Sequence, residues 1–163
     1  KILGAYGDAG AITTDNRRWY ERLKLLRNHG GKHDPQFVGY NSRLDNIQAA
    51  ILNVKFKYLG GAIEKRREIA EMYDKGLGQI SRIKLPISKT YQEYNLVCEN
   101  NVELHQYLKD KGIETIIGAY PFLMWQPAKT IIANQTVLRL PICPELEIDE
   151  IEYVIKTINE FYA

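Results

Sequence analysis

Cysteine, histidine and long apolar runs are scarce in this sequence of 163 residues. The two cysteines, Cys98 and Cys143, lie far apart and match no metal-binding or redox spacing. Two thiols suit a reducing compartment, where their expected role is that of small buried apolar residues. No segment approaches the run of about 18 apolar residues that crosses a membrane, and the first residues lack the order of a signal peptide. We therefore expect a cytoplasmic protein without a membrane span.

An excess of charge of either sign is also lacking. The sequence has 22 lysines and arginines against 20 aspartates and glutamates, which gives a formal net charge of +2. These charges mostly alternate along predicted helices, as in residues 64–68, which is typical of a solvated surface; no basic stripe indicates nucleic-acid binding. The histidines have no ligand spacing, so no metal site is expected. The length corresponds to one domain, or to a small domain with part of a neighbour.

Hydrophobic periodicity predicts helices in the first half of the chain. The first helix should hold His29 in its last turn, where the helix dipole favours a histidine. Ser42 and Asp45 have the spacing of a capping box for the second helix, whose apolar stripe we expect to be buried. In order, the predicted elements are a turn at 2–8, a strand at 10–14, a helix from Asp15 or Asn16 to about Gly30-Gly31, and a helix with the stripe Leu44, Ile47, Ile51 and Val54 that breaks or bends at Gly60-Gly61 and continues to about Leu77.

The second half of the chain predicts a small α/β unit. Tyr94, Leu96 and Cys98 alternate with less apolar neighbours, which indicates a half-buried strand within residues 91–99. The other predicted elements are helices at 102–111 and 148–161, strands at 113–117 and 137–140, and a loop at 118–136. Short strands that alternate with helices favour a small, largely antiparallel sheet packed against helices, and therefore the α/β class.

Two short segments carry the polar residues on which a functional prediction depends. Lys1 directly precedes a Gly-rich run, and an amine can form an imine with an aldehyde. Gly39-Tyr40-Asn41-Ser42-Arg43 precedes a predicted helix, whose N-terminal donors and a neighbouring Asn amide suit an anion. The residues alone leave plainer explanations open. These are a solvated surface lysine at Lys1, helix caps at Asn41 and Ser42, and a surface ion pair at Arg43.

Together with Leu26-Arg27-Asn28-His29-Gly30, these segments resemble the DegT-type sugar-nucleotide aminotransferases, which are fold-type-I enzymes that depend on pyridoxal 5'-phosphate. The resemblance extends over most of the chain and covers only the C-terminal portion of such an enzyme. It implies an α/β fold in which residues 1–40 end the large, cofactor-binding domain. Residues 41–163 would form the small C-terminal α/β domain, with a largely antiparallel sheet and a long N-terminal interdomain helix.

The resemblance also implies the roles of individual residues. Lys1 would be the catalytic lysine, which binds the pyridoxal 5'-phosphate aldehyde as an imine and then shuttles a proton. Asn41 would reach across a dimer interface to the cofactor phosphate of the partner subunit, and Arg43 and Tyr120 would contact the substrate. The implied reaction transfers an amino group from an amino acid, with glutamate as the expected donor, to a keto-sugar nucleotide. The implied enzyme is a homodimer with shared active sites in lipopolysaccharide or antibiotic-sugar biosynthesis.

The sequence departs from the family pattern in two places. Tyr120 and Pro121 match part of a His-Tyr-Pro segment that lines the sugar-nucleotide side in the family, but both expected histidines are missing. The resemblance also places the aspartate that pairs with the pyridine nitrogen upstream of Lys1. We therefore expect no transamination by this polypeptide alone. The alternative is a non-catalytic remnant or interaction domain of the same fold.

Overall fold

The computed structural model describes residues 1–118 and 136–163. Tyr120, a predicted substrate contact, lies outside the described residues. The chain divides into two compact units, one formed by Lys1 and Leu3–Tyr58 and the other by Ile2 and Leu59–Ala163. The division into domains at residues 1–40 and 41–163 stays a prediction. The described elements are α1 (Arg17–Leu26), α2 (Asn46–Phe56), α3 (Leu59–Leu77), β1 (Ile83–Lys84), β2 (Tyr94–Cys98), α4 (Asn101–Asp110), β3 (Ile116–Ile117), β4 (Val137–Leu140) and α5 (Ile148–Tyr162).

The second unit contains a four-stranded sheet in the order β1-β2-β4-β3, with every neighbouring pair antiparallel. In the central pair, Tyr94 lies opposite Leu140 and Leu96 lies opposite Leu138. Tyr94, Leu96 and Cys98 are buried, as the period of two along β2 predicts. The expected small antiparallel sheet is therefore confirmed. The sequence did not predict β1, because two residues are too few to establish an alternating pattern.

Helices α3, α4 and α5 contribute the rest of the core of this unit. Helix α3 packs against α5, and each buries residues at the spacing of one helix face. Glu147 and Glu150 form a capping box at the start of α5. None of the described helices combines the length and apolarity needed to cross a membrane. The helical core residues are Ile69, Ala70, Tyr73 and Leu77 of α3, Leu104 and Leu108 of α4, and Ile151, Val154 and Ile158 of α5.

Two buried tyrosines predict a loss of stability in alkali. Burial first, and then the hydrogen bond that the Tyr94 hydroxyl donates to Asp74 at 2.5 Å, raise the pKa of Tyr94. Burial also raises the pKa of Tyr73, whose hydroxyl donates to the Pro141 carbonyl at 2.9 Å. The unfolded chain loses these protons near the ordinary pKa of about 10, whereas the folded chain keeps them. The contribution of these two tyrosines to stability is therefore expected to be fully present below about pH 10 and to fall as the pH rises further.

Urea unfolding of the wild type and the Tyr94→Phe variant between pH 8 and pH 11 tests this expectation. Above about pH 10, the variant should lose less stability per pH unit, by up to about 1.4 kcal/mol. Tyr153→Phe, which removes a tyrosine that is 46 % exposed, is the matched control. Equal slopes for Tyr94→Phe and wild type would show that Tyr94 does not contribute to alkaline unfolding.

The first unit differs from the sequence prediction in its opening residues. Of the two predicted starts of the first helix, Asp15 and Asn16, the structure has Asn16 as the N-cap of α1, where its side chain accepts a hydrogen bond from the N–H of Trp19 at 3.2 Å. The strand predicted at residues 10–14 is wrong, because these residues pair with no other described strand. An extended segment becomes a β-strand only when a second backbone satisfies its hydrogen bonds.

The second helix of this unit also differs from its prediction. The expected break near the glycine pair is confirmed, although it lies just before them, between Phe56 and Leu59. The expectation that the apolar stripe of α2 is buried is wrong. Within α1 and α2, which both lie wholly in the described part of the chain, no residue is buried. Ile47 is 79 % and Val54 is 56 % exposed, because periodicity identifies an apolar face but does not supply a surface to cover it.

Candidate functional site

The C-terminus of α1 is capped by backbone groups of the residues that follow it and by the backbone of Tyr40. His29 has a φ of 58°, and the N–H of Gly30 donates to the carbonyl of Leu25 at 2.9 Å, which is the outer hydrogen bond of a Schellman motif. Tyr40 replaces the inner hydrogen bond. Its carbonyl accepts from the N–H of His29 at 2.9 Å, and its N–H donates to the carbonyl of Leu26 at 2.7 Å. The prediction that His29 lies in the last helical turn is therefore wrong, since α1 ends at Leu26.

Two glycines allow these segments to approach each other. A Cβ atom on Gly39 would overlap the backbone nitrogen of Gly30 and lie 2.6 Å from the carbonyl carbon of His29. A Cβ on Gly30 would overlap the facing backbone in turn. On the other side of Tyr40, Asn28 and Asn41 form an antiparallel bridge. The segments 26–30 and 39–43 are therefore paired through their backbones. We call them the first and the second motif. Their close contact requires a glycine in each of them.

This pairing presents Asn41 and Arg43 together at the surface. Both residues are exposed, and Nη2 of Arg43 donates to Oδ1 of Asn41 at 3.2 Å. Between them, the N–H of Ser42 donates to the carbonyl of Arg27 at 2.9 Å, which fixes the backbone at this point. With its oxygen engaged by the guanidinium, Asn41 still has two amide N–H donors, and Arg43 has further N–H groups. Such a pair of donors suits a phosphate.

Capping of the N-terminus of α2 does not explain Asn41 and Ser42. Helix α2 begins at Asn46, its N-cap residue is Asp45, and the Asp45 side chain makes no capping hydrogen bond. The predicted capping box between Ser42 and Asp45 is therefore wrong. The reason is that the bond from Ser42 to α1 keeps the backbone out of the helix until residue 45. The plainer explanation of Asn41 and Ser42 as caps is excluded.

Lys1 lies elsewhere in the first unit. It is exposed, and it precedes a turn from Gly4 to Gly7 that contacts α2 through Gln48 and Lys55. Among the described residues, Lys1 makes no hydrogen bond or ion pair with Asn41 or Arg43. The described part of one chain therefore joins Asn41 to Arg43 by a hydrogen bond and joins Lys1 to neither of them in this way.

A cleft of about 940 Å³ opens within the first unit beside the paired motifs. Its lining includes the cations Lys24, Arg27 and Arg43, against a single carboxylate, Asp8. Lys24 and Arg27 are not among the residues predicted to contact cofactor or substrate, although Lys24 lies in the last turn of α1 and Arg27 belongs to the Leu26–Gly30 segment. Arg43 lines the cleft, whereas Lys1 and Asn41 do not. The balance of charge favours an anionic occupant.

The residues present fit pyridoxal 5'-phosphate in their chemistry. Its aldehyde requires a primary amine, which Lys1 supplies at an exposed position. Its phosphate requires converging N–H donors, and the Asn41–Arg43 pair supplies them from a rigid backbone. Because the two parts of this set are not joined in one chain, Lys1 and Asn41 need not serve the same cofactor molecule.

Comparison with known proteins finds an aminotransferase family and sugar transaminases that are similar to this chain. The profile of the DegT/DnrJ/EryC1/StrS aminotransferase family matches residues 1–159. The chain is 35 % identical to a protein of Geobacillus stearothermophilus named "Pleiotropic regulatory protein", over 99 % of the chain and 49 % of that protein. It is 34 % identical to the dTDP-3-amino-3,6-dideoxy-alpha-D-galactopyranose transaminase of Aneurinibacillus thermoaerophilus, over 93 % of the chain and 46 % of that protein.

Solved structures agree with these relatives. The crystal structure of DesV from S. venezuelae in complex with a ketimine intermediate matches with a TM-score of 0.91 and 30 % identity, over 99 % of this chain and 49 % of DesV. The structure of NtdA from Bacillus subtilis with bound cofactor PMP matches with a TM-score of 0.87 and 26 % identity, over 98 % of this chain and 43 % of NtdA. Aminotransferases of the DegT family depend on pyridoxal 5'-phosphate.

The extent of these matches has two consequences. The chain spans about half the length of the curated relatives it matches, so it carries only part of the residues that those proteins use. Over its own length, however, the family profile leaves only the last four residues unmatched, and both sequence motifs lie within the match. The chain therefore belongs to the DegT/DnrJ/EryC1/StrS aminotransferase family.

Proposed function

We propose that this chain forms part of a cytoplasmic, homodimeric aminotransferase that uses pyridoxal 5'-phosphate. Its reaction transfers an amino group from an amino acid, with glutamate as the donor, to a keto-sugar nucleotide. Relatives named as transaminases or aminotransferases of dTDP-linked and UDP-linked sugars support this substrate class. Lipopolysaccharide or antibiotic-sugar biosynthesis is the corresponding type of pathway.

The observation that carries this proposal is the backbone pairing around Tyr40. It closes the C-terminus of α1 through the backbone of Tyr40, and it holds the side chains of Asn41 and Arg43 as adjacent exposed donors that cap neither α1 nor α2. Because the backbone under these two side chains is already paired, binding an anion does not require that backbone to become ordered. This preorganisation supports Asn41 as a ligand of the cofactor phosphate and Arg43 as a contact of the anionic nucleotide.

Each residue of the chain then has a defined task. When bound, the cofactor supplies an aldehyde that carries the amino group between donor and acceptor, and a ring that withdraws electrons. Lys1 would hold the cofactor through Nζ, with loss of the aldehyde oxygen as water, and as a free amine it would hold or move a proton at the same nitrogen. Asn41 donates N–H to the phosphate and so fixes the position of the ring. Tyr120 is the further residue proposed to contact substrate.

An active site shared between two subunits agrees with the structure of one chain, in which the described residues include no hydrogen bond between Lys1 and Asn41. In a two-fold dimer, each site would combine Lys1 of one subunit with Asn41 of the partner subunit. Co-expression of a Lys1→Ala chain with an Asn41→Ala chain tests this arrangement. Half of the dimers formed at random are hybrids, and each hybrid has one intact site. Activity is therefore expected to recover to about a quarter of wild type.

The same experiment contains its controls. Each variant alone should be inactive or strongly impaired, because every site of its homodimer lacks a residue. For Asn41→Ala alone, the loss of a hydrogen bond to a charged group should weaken cofactor binding about 10- to 100-fold. If Lys1 and Asn41 served one site within a single chain, no hybrid would contain an intact site. Absence of recovery in mixed dimers would therefore contradict the shared site.

A second candidate is a non-catalytic domain of the same fold. The relative named as a pleiotropic regulatory protein favours it, as does the exposed apolar face of α2, which suits a partner polypeptide. Incubation of the complete protein with pyridoxal 5'-phosphate, reduction with borohydride and mapping of the adduct separate the two candidates. An adduct on the Lys1 side chain supports the aminotransferase. Scattered or absent labelling supports the non-catalytic domain.

A further inference from the structure

The turn that follows Lys1 rests on α2 through two side chains. Oε1 of Gln48 accepts a hydrogen bond from the N–H of Tyr6 at 2.9 Å. Nζ of Lys55 lies 5.2 Å from the centre of the Tyr6 ring, which is within the range of a cation–π interaction. Both α2 side chains belong to residues of intermediate exposure, whereas Tyr6 is 74 % exposed. Contacts with Gln48 and Lys55 of α2 therefore hold the turn, and burial of the Tyr6 ring does not.

Glycines in the turn provide the space that these two side chains occupy. A Cβ atom on Gly4 would lie 2.6 Å from Nζ of Lys55, and one on Gly7 would lie 2.5 Å from Nε2 of Gln48. Gly4 has a φ of 70° and Gly7 a φ of 151°, values that other residues seldom adopt. Each glycine thus faces one of the two α2 side chains.

The two glycines of the turn and the two side chains of α2 that they face have compatible spacings. Gln48 and Lys55 are seven residues apart on α2, which corresponds to about two turns on one helix face and about 10 Å of rise. Gly4 and Gly7 are three residues apart, so the distance between them is at most about 10 Å. Gly4 faces Lys55 and Gly7 faces Gln48, so the order of the contacts is reversed along the two segments. The turn therefore lies antiparallel to α2 and is attached at both ends.

We infer that Gln48 and Lys55 are positioning residues for Lys1. The inference rests on the proposed role of Lys1 as the lysine that binds the cofactor. Lys1 is three residues before Gly4, and its carbonyl oxygen lies 3.7 Å from where a Cβ of Gly4 would be, so the Lys1 backbone is next to the attached turn. A turn that is fixed at both ends restricts the position of the Lys1 backbone, and therefore the point from which the Lys1 side chain extends. No substrate or cofactor contact is assigned to Gln48 or Lys55.

Hydrogen exchange and chemical trapping of Lys1, both in the complete protein, test the inference. Gln48→Met has a similar volume but cannot accept the Tyr6 hydrogen bond, whereas Gln48→Glu retains an acceptor oxygen. In Gln48→Met, we expect the amide of Tyr6 to exchange at least about 10-fold faster, since the hydrogen bond protects it. The rate of borohydride-trapped labelling of Lys1 Nζ by pyridoxal 5'-phosphate should fall several-fold. Gln48→Glu should restore both values.

Lysine substitutions provide a second and matched test. Lys55→Met should slow the labelling of Lys1, and Lys55→Arg, which keeps a cation over the Tyr6 ring, should not. Lys57→Met removes a nearby exposed lysine that follows α2, and it should leave labelling at the wild-type rate. Circular dichroism of each variant establishes that α2 is intact.

The outcomes separate this inference from the function on which it rests. Faster exchange at Tyr6 together with slower labelling of Lys1, both reversed by Gln48→Glu, supports the inference. Unchanged exchange in Gln48→Met overturns it, and so does faster exchange with unchanged labelling, because the contact would then be structural only. If Lys1 of the wild-type protein is not labelled at all, the proposed role of Lys1 fails, and the inference fails with it.

Discussion

Replacing Lys1 by arginine is expected to abolish amino-group transfer by the complete protein. The guanidinium keeps the positive charge but stays protonated, so it cannot attack the cofactor aldehyde or take up a proton at neutral pH. Loss of a positioned general acid and base alone lowers rates by about 10²- to 10⁴-fold. Loss of the covalent attachment of the cofactor adds to this. Initial rates with glutamate and a keto-sugar nucleotide, compared with wild type, measure the effect.

Labelling with pyridoxal 5'-phosphate and borohydride gives an independent measure of the same change. The wild-type protein should carry the adduct on Lys1, and Lys1→Arg should carry none at that position. Lys32→Arg is the matched control, because it makes the same replacement at an exposed lysine of the same unit, and it should behave as wild type. A Lys1→Arg enzyme within about 10-fold of wild-type activity would show that another group performs the proton transfer.

The second unit could be predicted from sequence because its segments bury their apolar faces against one another. Alternation at Tyr94, Leu96 and Cys98 predicts β2, and the spacing of Ile151, Val154 and Ile158 predicts α5. In both cases the apolar pattern and the burial in the structure agree. Here the local signal and the tertiary environment favour the same structure, which is the condition under which periodicity is sufficient.

Charged residues of this unit were harder to predict. The run at 64–68 was expected on a solvated face, yet Nη1 of Arg66 donates to the carbonyls of Ile142 at 2.6 Å and Tyr91 at 3.4 Å. Both acceptors are distant in sequence, and a carbonyl in a loop leaves no trace in the residue types around it. Long charged side chains can also bury their stems while their head groups find backbone partners.

The first unit could be predicted only in part because its backbone partners are not local. Asn16 was identified as a cap because the bond it makes lies within three residues. The error at Ser42 has the opposite cause, since its N–H binds the carbonyl of Arg27, fifteen residues away. The exposed stripe of α2 belongs to the same class: a sequence pattern specifies an apolar face and not what covers it.

The residue types in the sequence are sufficient to locate the candidate site. They do not predict how its segments are paired. Asn41 and Arg43 were identified from the second motif, and His29 was given a different place from the one it has. The link between the motifs runs through the backbone of Tyr40, for which side-chain chemistry gives no signal. The available signal was the pair of glycines, one in each motif. Glycine at two distant positions is consistent with a close approach of two backbones.

Replacing Gly39 by alanine is therefore expected to weaken cofactor binding at least as much as the loss of Asn41. The added Cβ would overlap the backbone of Gly30, and backbone atoms of two paired segments cannot move aside singly. The segment would have to separate from α1, with loss of the two hydrogen bonds between Tyr40 and α1 and of the bond from Ser42. Three bonds at about 0.5–1.5 kcal/mol each predict a loss of about 1.5–4.5 kcal/mol in the stability of this pairing.

Gly39 is a suitable position for this test because its φ is not among the positive values, so alanine introduces a steric clash without backbone strain. Titration with pyridoxal 5'-phosphate should show an affinity about 100-fold lower than wild type, together with faster amide exchange at His29 and Tyr40. Gly61→Ala is the matched control: a Cβ there meets nothing within 4 Å, and α3 should gain up to about 1 kcal/mol. If Gly39→Ala bound the cofactor with wild-type affinity while its Tyr40 amide exchanged faster, the backbone pairing would not be what positions Asn41, and the phosphate contact would have to be assigned to other residues.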